Sequence, residues 1–354
     1  MTPALPSDQL VGSAESSFAA RLRQNLRFDG LWWRKLAALA CGYGPEWVKR
    51  YLPAPTAAII FLLVRRNRRG AIANMARIVG AKRRTEAALA ALRMYTEFAR
   101  CMTETMEYYG PSAPPIQVDL PERDTVADAL REGRGAVIVT GHFGYWDIAA
   151  KILHEHGRPI NVVMAREANA TTSQYVRAAR ERAGVRVIYS DTSVLSSLNM
   201  IRALRRNEIV AIQLDRSPGA VGARLVPFFG APASFPSGPF ILARAAGAPL
   251  IPVFTPRLGT RHYAILVGDR FSVPQEPRAL DRVMAEVVHL FEDTVRAFPT
   301  QWFQFAPFWP GAAAEQKKNS ADVRGTPYPY AHTHGSPTTV RHGRRSKSAR
   351  STGG

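Results

Sequence analysis

The sequence predicts an α/β fold, a mostly parallel sheet flanked by helices, with a helical region ahead of it. Three observations carry this expectation. Continuous apolar runs of strand length recur at residues 135–140, 160–164, 186–189, 209–214, 250–255 and 263–267, as buried parallel strands require. Between them, residues 173–183, 194–206, 238–246 and 278–298 have helical periodicity, and strand alternating with helix favours a parallel sheet. Ahead of the first run, residues 70–109 carry Met75, Ile78, Ala88, Leu92, Tyr95, Phe98 and Met102 at three- and four-residue spacing, the pattern of one long helix.

Taken in order, residues 1–30 hold no apolar stretch of signal-peptide length, so they read as a flexible start to a chain that stays in the cytoplasm. Residues 31–110 form a helical, membrane-contacting region. Trp32-Trp33-Arg34-Lys35 opens it, Trp47 and Tyr51 follow, and an apolar run over 54–64 ends on Arg65, Arg66, Arg68 and Arg69. A run of eleven residues is too short to cross a bilayer, which takes about 20 apolar residues. Aromatic rings beside cations suit a membrane interface. A buried core helix with solvated charges at its ends has the same pattern, so both readings stay open. Pro111, Pro114 and Pro115 close this region. Residues 111–311 form the α/β core, beginning with a short helix at 124–131 and the first strand at 135–140. Residues 312–354 are rich in Ser, Thr, Gly, Pro, His and Arg and read as a basic disordered tail, because they cannot bury enough apolar area to offset ordering.

The chain has 354 residues and 46% apolar content, enough for a sizeable core in one large domain or two. Its 47 basic and 28 acidic side chains leave a net charge of +19, which points to a polyanionic partner: nucleic acid, an anionic membrane surface or an acidic protein. Residues 1–69 hold a surplus of seven charges (eleven against four) and residues 312–354 a surplus of six (eight against two). Both ends lie outside the alternating core and no nucleic-acid module accompanies them, so nucleic acid is not the expected partner. Two cysteines, Cys41 and Cys101, supply neither a disulfide framework nor a four-ligand zinc site. No metal and no cofactor is expected.

After the first strand comes Gly141-His142-Phe143-Gly144-Tyr145-Trp146-Asp147. His142 falls on the strand-to-helix turn and Asp147 enters the first helical turn, where a carboxylate is favoured and can reach back to the ring. A neutral imidazole can take the proton of an attacking hydroxyl while a carboxylate fixes its tautomer. The hydroxyl would be the substrate's, so no Ser or Cys nucleophile is needed. The same spacing also fits a helix N-cap beside an incidental His.

Further segments follow in order: Leu214-Asp215-Arg216, Val226-Pro227-Phe228-Phe229-Gly230-Ala231-Pro232, Pro236-Ser237-Gly238-Pro239, Ala248-Pro249-Leu250-Ile251-Pro252 and Pro299-Thr300-Gln301-Trp302-Phe303. With the H-x-x-x-x-D segment they resemble the bacterial lipid A lauroyl/myristoyl acyltransferase family of the lysophospholipid acyltransferase superfamily. They are also similar to its phosphatidylinositol mannoside acyltransferase relatives. The resemblance covers about residues 70–310 and implies a glycerolipid acyltransferase-like fold. It implies transfer of a fatty acyl group from a thioester, on acyl carrier protein or coenzyme A, to a hydroxyl of a membrane glycolipid such as a lipid A precursor. Another lipid class, lysophospholipid, phosphoglycolipid or aminolipid, and a non-catalytic lipid or carrier-protein binder are the alternatives.

By the same resemblance His142 is the general base and Asp147 its orienting partner. Arg180 answers substrate or donor charge, and Asp215 contacts hydroxyls or positions Arg180. Arg216, Arg166, Arg182 and Arg224 are candidates for phosphate or phosphopantetheine, and Phe229 and Gly230 for the substrate. Donors for the developing oxyanion come from amides at the helix start or from an arginine. The Asp215-Arg216 pair is closer to the mannoside type, and the closing block lacks the basic residues often found in lipid A enzymes. Its aromatics either line an acyl groove or pack the core. The expected place of work is the cytoplasmic face of the inner membrane, as a peripheral or monotopic protein.

Overall fold

A computed structural model describes residues 31–108, 114–121, 124–145, 157–164, 184–190, 194–216 and 222–309, with 149 and 181 between them; the side chains of 31–35 are outside this description. Five helices lead: α1 (Leu31–Tyr43), α2 (Glu46–Tyr51), α3 (Pro53–Leu63), α4 (Arg65–Ile78) and α5 (Arg84–Tyr108). Then follow β1 (Gln117–Asp119), α6 (Thr125–Arg131), β2 (Ala136–Thr140), β3 (Ile160–Met164), β4 (Val185–Tyr189), α7 (Val194–Arg205) and β5 (Ile209–Gln213). The remainder is β6 (Ala223–Phe228), β7 (Ala231–Pro236), α8 (Gly238–Ala246), β8 (Leu250–Phe254), β9 (Arg257–Gly259), β10 (His262–Ala264), β11 (Leu266–Val267), α9 (Pro277–Ala297) and a 3-10 turn, Pro299–Gln301.

The main sheet has the order β11-β8-β2-β5-β3-β4. β8, β2, β5, β3 and β4 run parallel, and β11 adds an antiparallel edge. This is the α/β class expected from the alternation. Side chains alternate across a strand, and β2 shows it directly. Val137 and Val139 join a large core with α3, α4, α5, α8 and α9, while Ala136 and Ile138 face a smaller core with Val126, Ala129 and Leu130 of α6. The N-terminal helices and the sheet therefore share one core. α9 presents Leu280, Val283, Met284, Val287, Val288, Phe291 and Val295 to it, the spacing that the sequence displays.

Two expected elements are divided. The single helix read over 70–109 is two, α4 and α5. Gly80 takes φ +59°, its N–H donates to the Arg77 carbonyl, and the Ala81 N–H donates to the Ala76 carbonyl. This paired closure is a Schellman stop. Glu86 then accepts the backbone N–H groups of Lys82 and Arg83, restarting the chain as α5. Apolar periodicity continues across the break, so the pattern concealed it. The strand read at 263–267 splits likewise: Tyr263 pairs with β1 while Leu266 and Val267 pair with β8.

The antiparallel pair β6 and β7 closes on Phe229 and Gly230, with φ of +49° and +72°, a two-residue turn of the primed type that matches strand twist.

α5 is fastened to β9 and the β9–β10 turn by buried charge. Arg257 bonds Glu104 at 2.8 Å and Glu97 at 3.3 Å. Glu107 meets Arg261 at 2.7 Å and Lys49 at 3.2 Å, bringing in α2. Charges taken from water are retained only when paired in this way. Asn74 of α4 makes a second fastening. Its buried amide donates to the Gln304 and Ala306 carbonyls at 2.8 and 2.7 Å, and its oxygen accepts the Phe308 N–H at 3.0 Å. Asn74→Ala leaves the buried Gln304 carbonyl and two part-buried backbone groups without this partner, and the expected loss is about 2 kcal/mol, read as a lowered denaturant midpoint with an unchanged m-value.

Candidate active site

The site begins with strand register. β2 and β5 are adjacent and parallel, and Thr140 stands opposite Gln213. Two residues further along each chain stand His142 and Asp215, both beyond the carboxyl ends of their strands, where open α/β sheets collect chemistry. β2 lies inside the sheet between β5 and β8, with β3 reached on one side and β8 on the other. His142 therefore stands at the point where strand order reverses.

Asp215 Oδ1 lies 2.8 Å from His142 Nδ1, and Oδ2 accepts the His142 backbone N–H at 2.9 Å. Oδ2 also accepts the indole N–H of Trp302 at 2.8 Å. The carboxylate is fully buried while the imidazole side chain stays 21% exposed. Burial raises the Asp215 pKa, but His142, the donated N–H groups and the nearby Arg216 charge outweigh it and bring it down from 3.8 to about 2. Asp215 therefore stays a carboxylate, and Nδ1–H donates to it. That tautomer puts the imidazole lone pair on Nε2.

The geometry gives Asp215 a role that the sequence reading assigned to Asp147: Oδ1 meets His142 Nδ1 and Oδ2 accepts the His142 and Trp302 N–H groups, so this carboxylate orients the histidine. Asp147, Arg166, Arg180 and Arg182 lie outside the described residues. Arg216 is exposed beside the pair, with Nη1 donating to the Gln304 side chain at 2.8 Å. Arg224 instead faces Asp281 at 3.6 Å. Phe229 and Gly230 occupy the β6–β7 turn. The Phe229 N–H donates to Glu292 at 2.8 Å and Arg296 lies over its ring at 4.6 Å.

The loop that carries His142 is braced by the distant closing segment. The Phe303 N–H donates to the His142 carbonyl at 2.8 Å, the Gly144 N–H to the Gln301 carbonyl at 2.9 Å, and the Tyr145 N–H to the Thr255 carbonyl at 3.0 Å. The Gln301 side chain joins both backbone groups of Arg257 at 2.7 Å. Gly144 has φ +54°, and a Cβ there would meet the Thr255 oxygen at 1.9 Å, so only glycine fits. The amides of 142, 144 and 145 are thus spent on the fold. Of the expected oxyanion donors, Arg216 is the described cation beside the pair.

Trp302 and Phe303 are buried in the core, which decides between core packing and groove lining for those two. Sequence reading gave Trp302 no hydrogen-bonding role. The available signal was that a buried indole N–H needs an acceptor. No group of three or more His, Cys, Asp or Glu arranged to hold a metal occurs among the described residues.

A phosphatidylinositol mannoside acyltransferase of Mycolicibacterium smegmatis is 25% identical over 210 residues, 57% of this chain and 66% of that protein. One from Mycobacterium tuberculosis is 28% identical over 204 residues, 55% of this chain and 61% of that protein. The matched region thus spans less than two thirds of either relative. Residues 23–310 match the family described as bacterial lipid A biosynthesis acyltransferase, a stretch that takes in the helical region, the sheet, the His142–Asp215 pair and the bracing segment, and the chain belongs to that family.

Proposed function

We propose that the protein is a membrane-associated O-acyltransferase that moves a fatty acyl group from a thioester, on acyl carrier protein or coenzyme A, to a hydroxyl of a membrane glycolipid. The observation that carries the reading is the 2.8 Å contact between His142 Nδ1 and the buried Asp215 carboxylate. Nε2 takes the proton of the acceptor hydroxyl as its oxygen attacks the thioester carbonyl. The tetrahedral oxyanion collapses, the C–S bond breaks, and the leaving thiolate takes the proton back from the imidazolium, which Asp215 stabilises meanwhile. Arg216 is placed to answer negative charge on the donor or on the oxyanion. An enzyme nucleophile is unnecessary because the acceptor supplies it.

Family membership and the mannoside acyltransferase relatives support a sugar-bearing acceptor, a lipid A precursor or a related phosphoglycolipid. Membrane contact is supported by α1 to α3, where Leu36, Leu39, Trp47, Tyr51, Leu52, Ile59, Leu62 and Leu63 are exposed. An apolar surface of this kind marks an interaction site. Among the described residues no helix is long and apolar enough to cross a membrane, which fits helices lying in the interface at the cytoplasmic face of the inner membrane. Mass spectrometry of lipids from cells lacking the gene tests the reading: one glycolipid class should lack a single acyl chain. An unchanged lipidome under expressing conditions would favour a binding protein instead.

A further inference from the structure

The corner between α4 and α5 forms an open surface cavity of about 580 Å³. Arg69 of α4, Lys82 and Arg83 of the connection and Arg84, the first residue of α5, line it, over a floor that includes Ala73 and Ala76. The opposite face of α4, with Gly70, Asn74 and Met75, is buried, so the cavity occupies the outward side of that helix. Among the described residues no carboxylate pairs with any of the four cations. Residues 52–85 contain eight Lys and Arg and no Asp or Glu. The adjoining carboxylate, Glu86, accepts the backbone N–H groups of Lys82 and Arg83. All four are exposed, and four like charges around one concavity give it a positive potential that favours an anion.

We propose that this cavity binds the phosphate-bearing headgroup of an anionic phospholipid in the bilayer surface. The inference rests on the interfacial reading of α1 to α3 and adds to it a specific lipid site. Position and charge select the occupant. α3 ends in exposed Leu62 and Leu63, and α4 begins two residues later with Arg65, Arg66 and Arg69. An apolar helix end followed at once in the chain by a cationic helix that lines the cavity is complementary to a phospholipid, apolar in its chains and anionic in its headgroup. The alanine floor leaves room for a headgroup, and the cations supply the donors that a phosphate oxygen accepts.

Co-sedimentation of the full chain with phosphatidylcholine vesicles, with and without phosphatidylglycerol, tests the proposal. The wild-type protein should bind the phosphatidylglycerol vesicles on the order of a hundredfold more tightly than the neutral ones. Arg69→Gln/Lys82→Gln/Arg83→Gln/Arg84→Gln should lose most of that preference while binding neutral vesicles normally. A charge-matched variant at exposed positions that do not line the cavity, Arg158→Gln/Arg202→Gln/Arg278→Gln/Arg282→Gln, should keep it. Trp47→Ala/Leu62→Ser/Leu63→Ser should weaken binding to both vesicle types. Equal losses in the two Gln variants would mean diffuse attraction, overturning the cavity while leaving the interfacial reading in place. A cavity variant that keeps its lipid preference but loses binding to acyl carrier protein would make the cavity a protein-docking site, which also overturns the proposal. Wild-type protein that binds neither vesicle would remove the interfacial reading itself.

Discussion

His142→Ala is expected to lower acyl transfer by about 10²- to 10⁴-fold, the usual contribution of a positioned general base, with little change in folding. The fold should survive because the main-chain contacts of residue 142 do not need the imidazole. Its N–H still donates to Asp215 Oδ2, and its carbonyl still accepts the Phe303 N–H. Trp302 remains on the same carboxylate. Transfer from a thioester donor to lipid acceptor, measured beside circular dichroism melting, separates the two effects. A folded variant with full activity would remove His142 from the mechanism.

Asp215→Asn should reduce turnover on the order of 10³-fold and also destabilise the protein by about 2–4 kcal/mol. The reason is donor geometry. Oδ2 accepts two N–H groups and Oδ1 accepts Nδ1–H. An amide cannot satisfy both sides. If its NH₂ faces Trp302 and the His142 backbone, three donors meet with no acceptor. If its NH₂ faces Nδ1, the imidazole must carry its proton on Nε2, and the basic nitrogen is lost.

The variant should also change the acid limb of stability. Folding lowers the Asp215 pKa from 3.8 to about 2, so its contribution is complete above about pH 4 and is lost as pH falls through about 2. On the order of 2 kcal/mol of the gap between wild type and Asp215→Asn should therefore disappear across that window. Denaturant unfolding of both proteins at pH 5 and near pH 2 reads it; a gap independent of pH would mean that Asp215 is not held as a carboxylate by its partners.

How much of this was legible follows from the range of each interaction. β2, β5 and β8 were legible because each is a continuous apolar run, and α9 because its buried face repeats with helical period. The β6–β7 pair was missed because its strands mix buried and exposed residues, and its turn uses Phe229 at positive φ where glycine or asparagine is usual. The stop at Gly80 was missed because the apolar period resumes after it. For the site, His142 was legible from its place at a strand end, and Asp215 was selected as a site residue but given another role.

The sequence by itself determined the α/β class, the helical region ahead of it, the family and the residue at the end of the first buried strand. These depend on local periodicity and on ordered motifs, which a linear reading contains. Tertiary structure alone decided that Asp215 meets His142 across 73 residues, that Trp302 holds the other oxygen, and that cations of α4 and of the turn into α5 line one cavity. Neighbouring strands here are not neighbours in sequence, because β5 inserts between β2 and β3. The order of hydrogen-bonded strands follows from how the helical connections pack over the sheet, and no short segment encodes that packing alone.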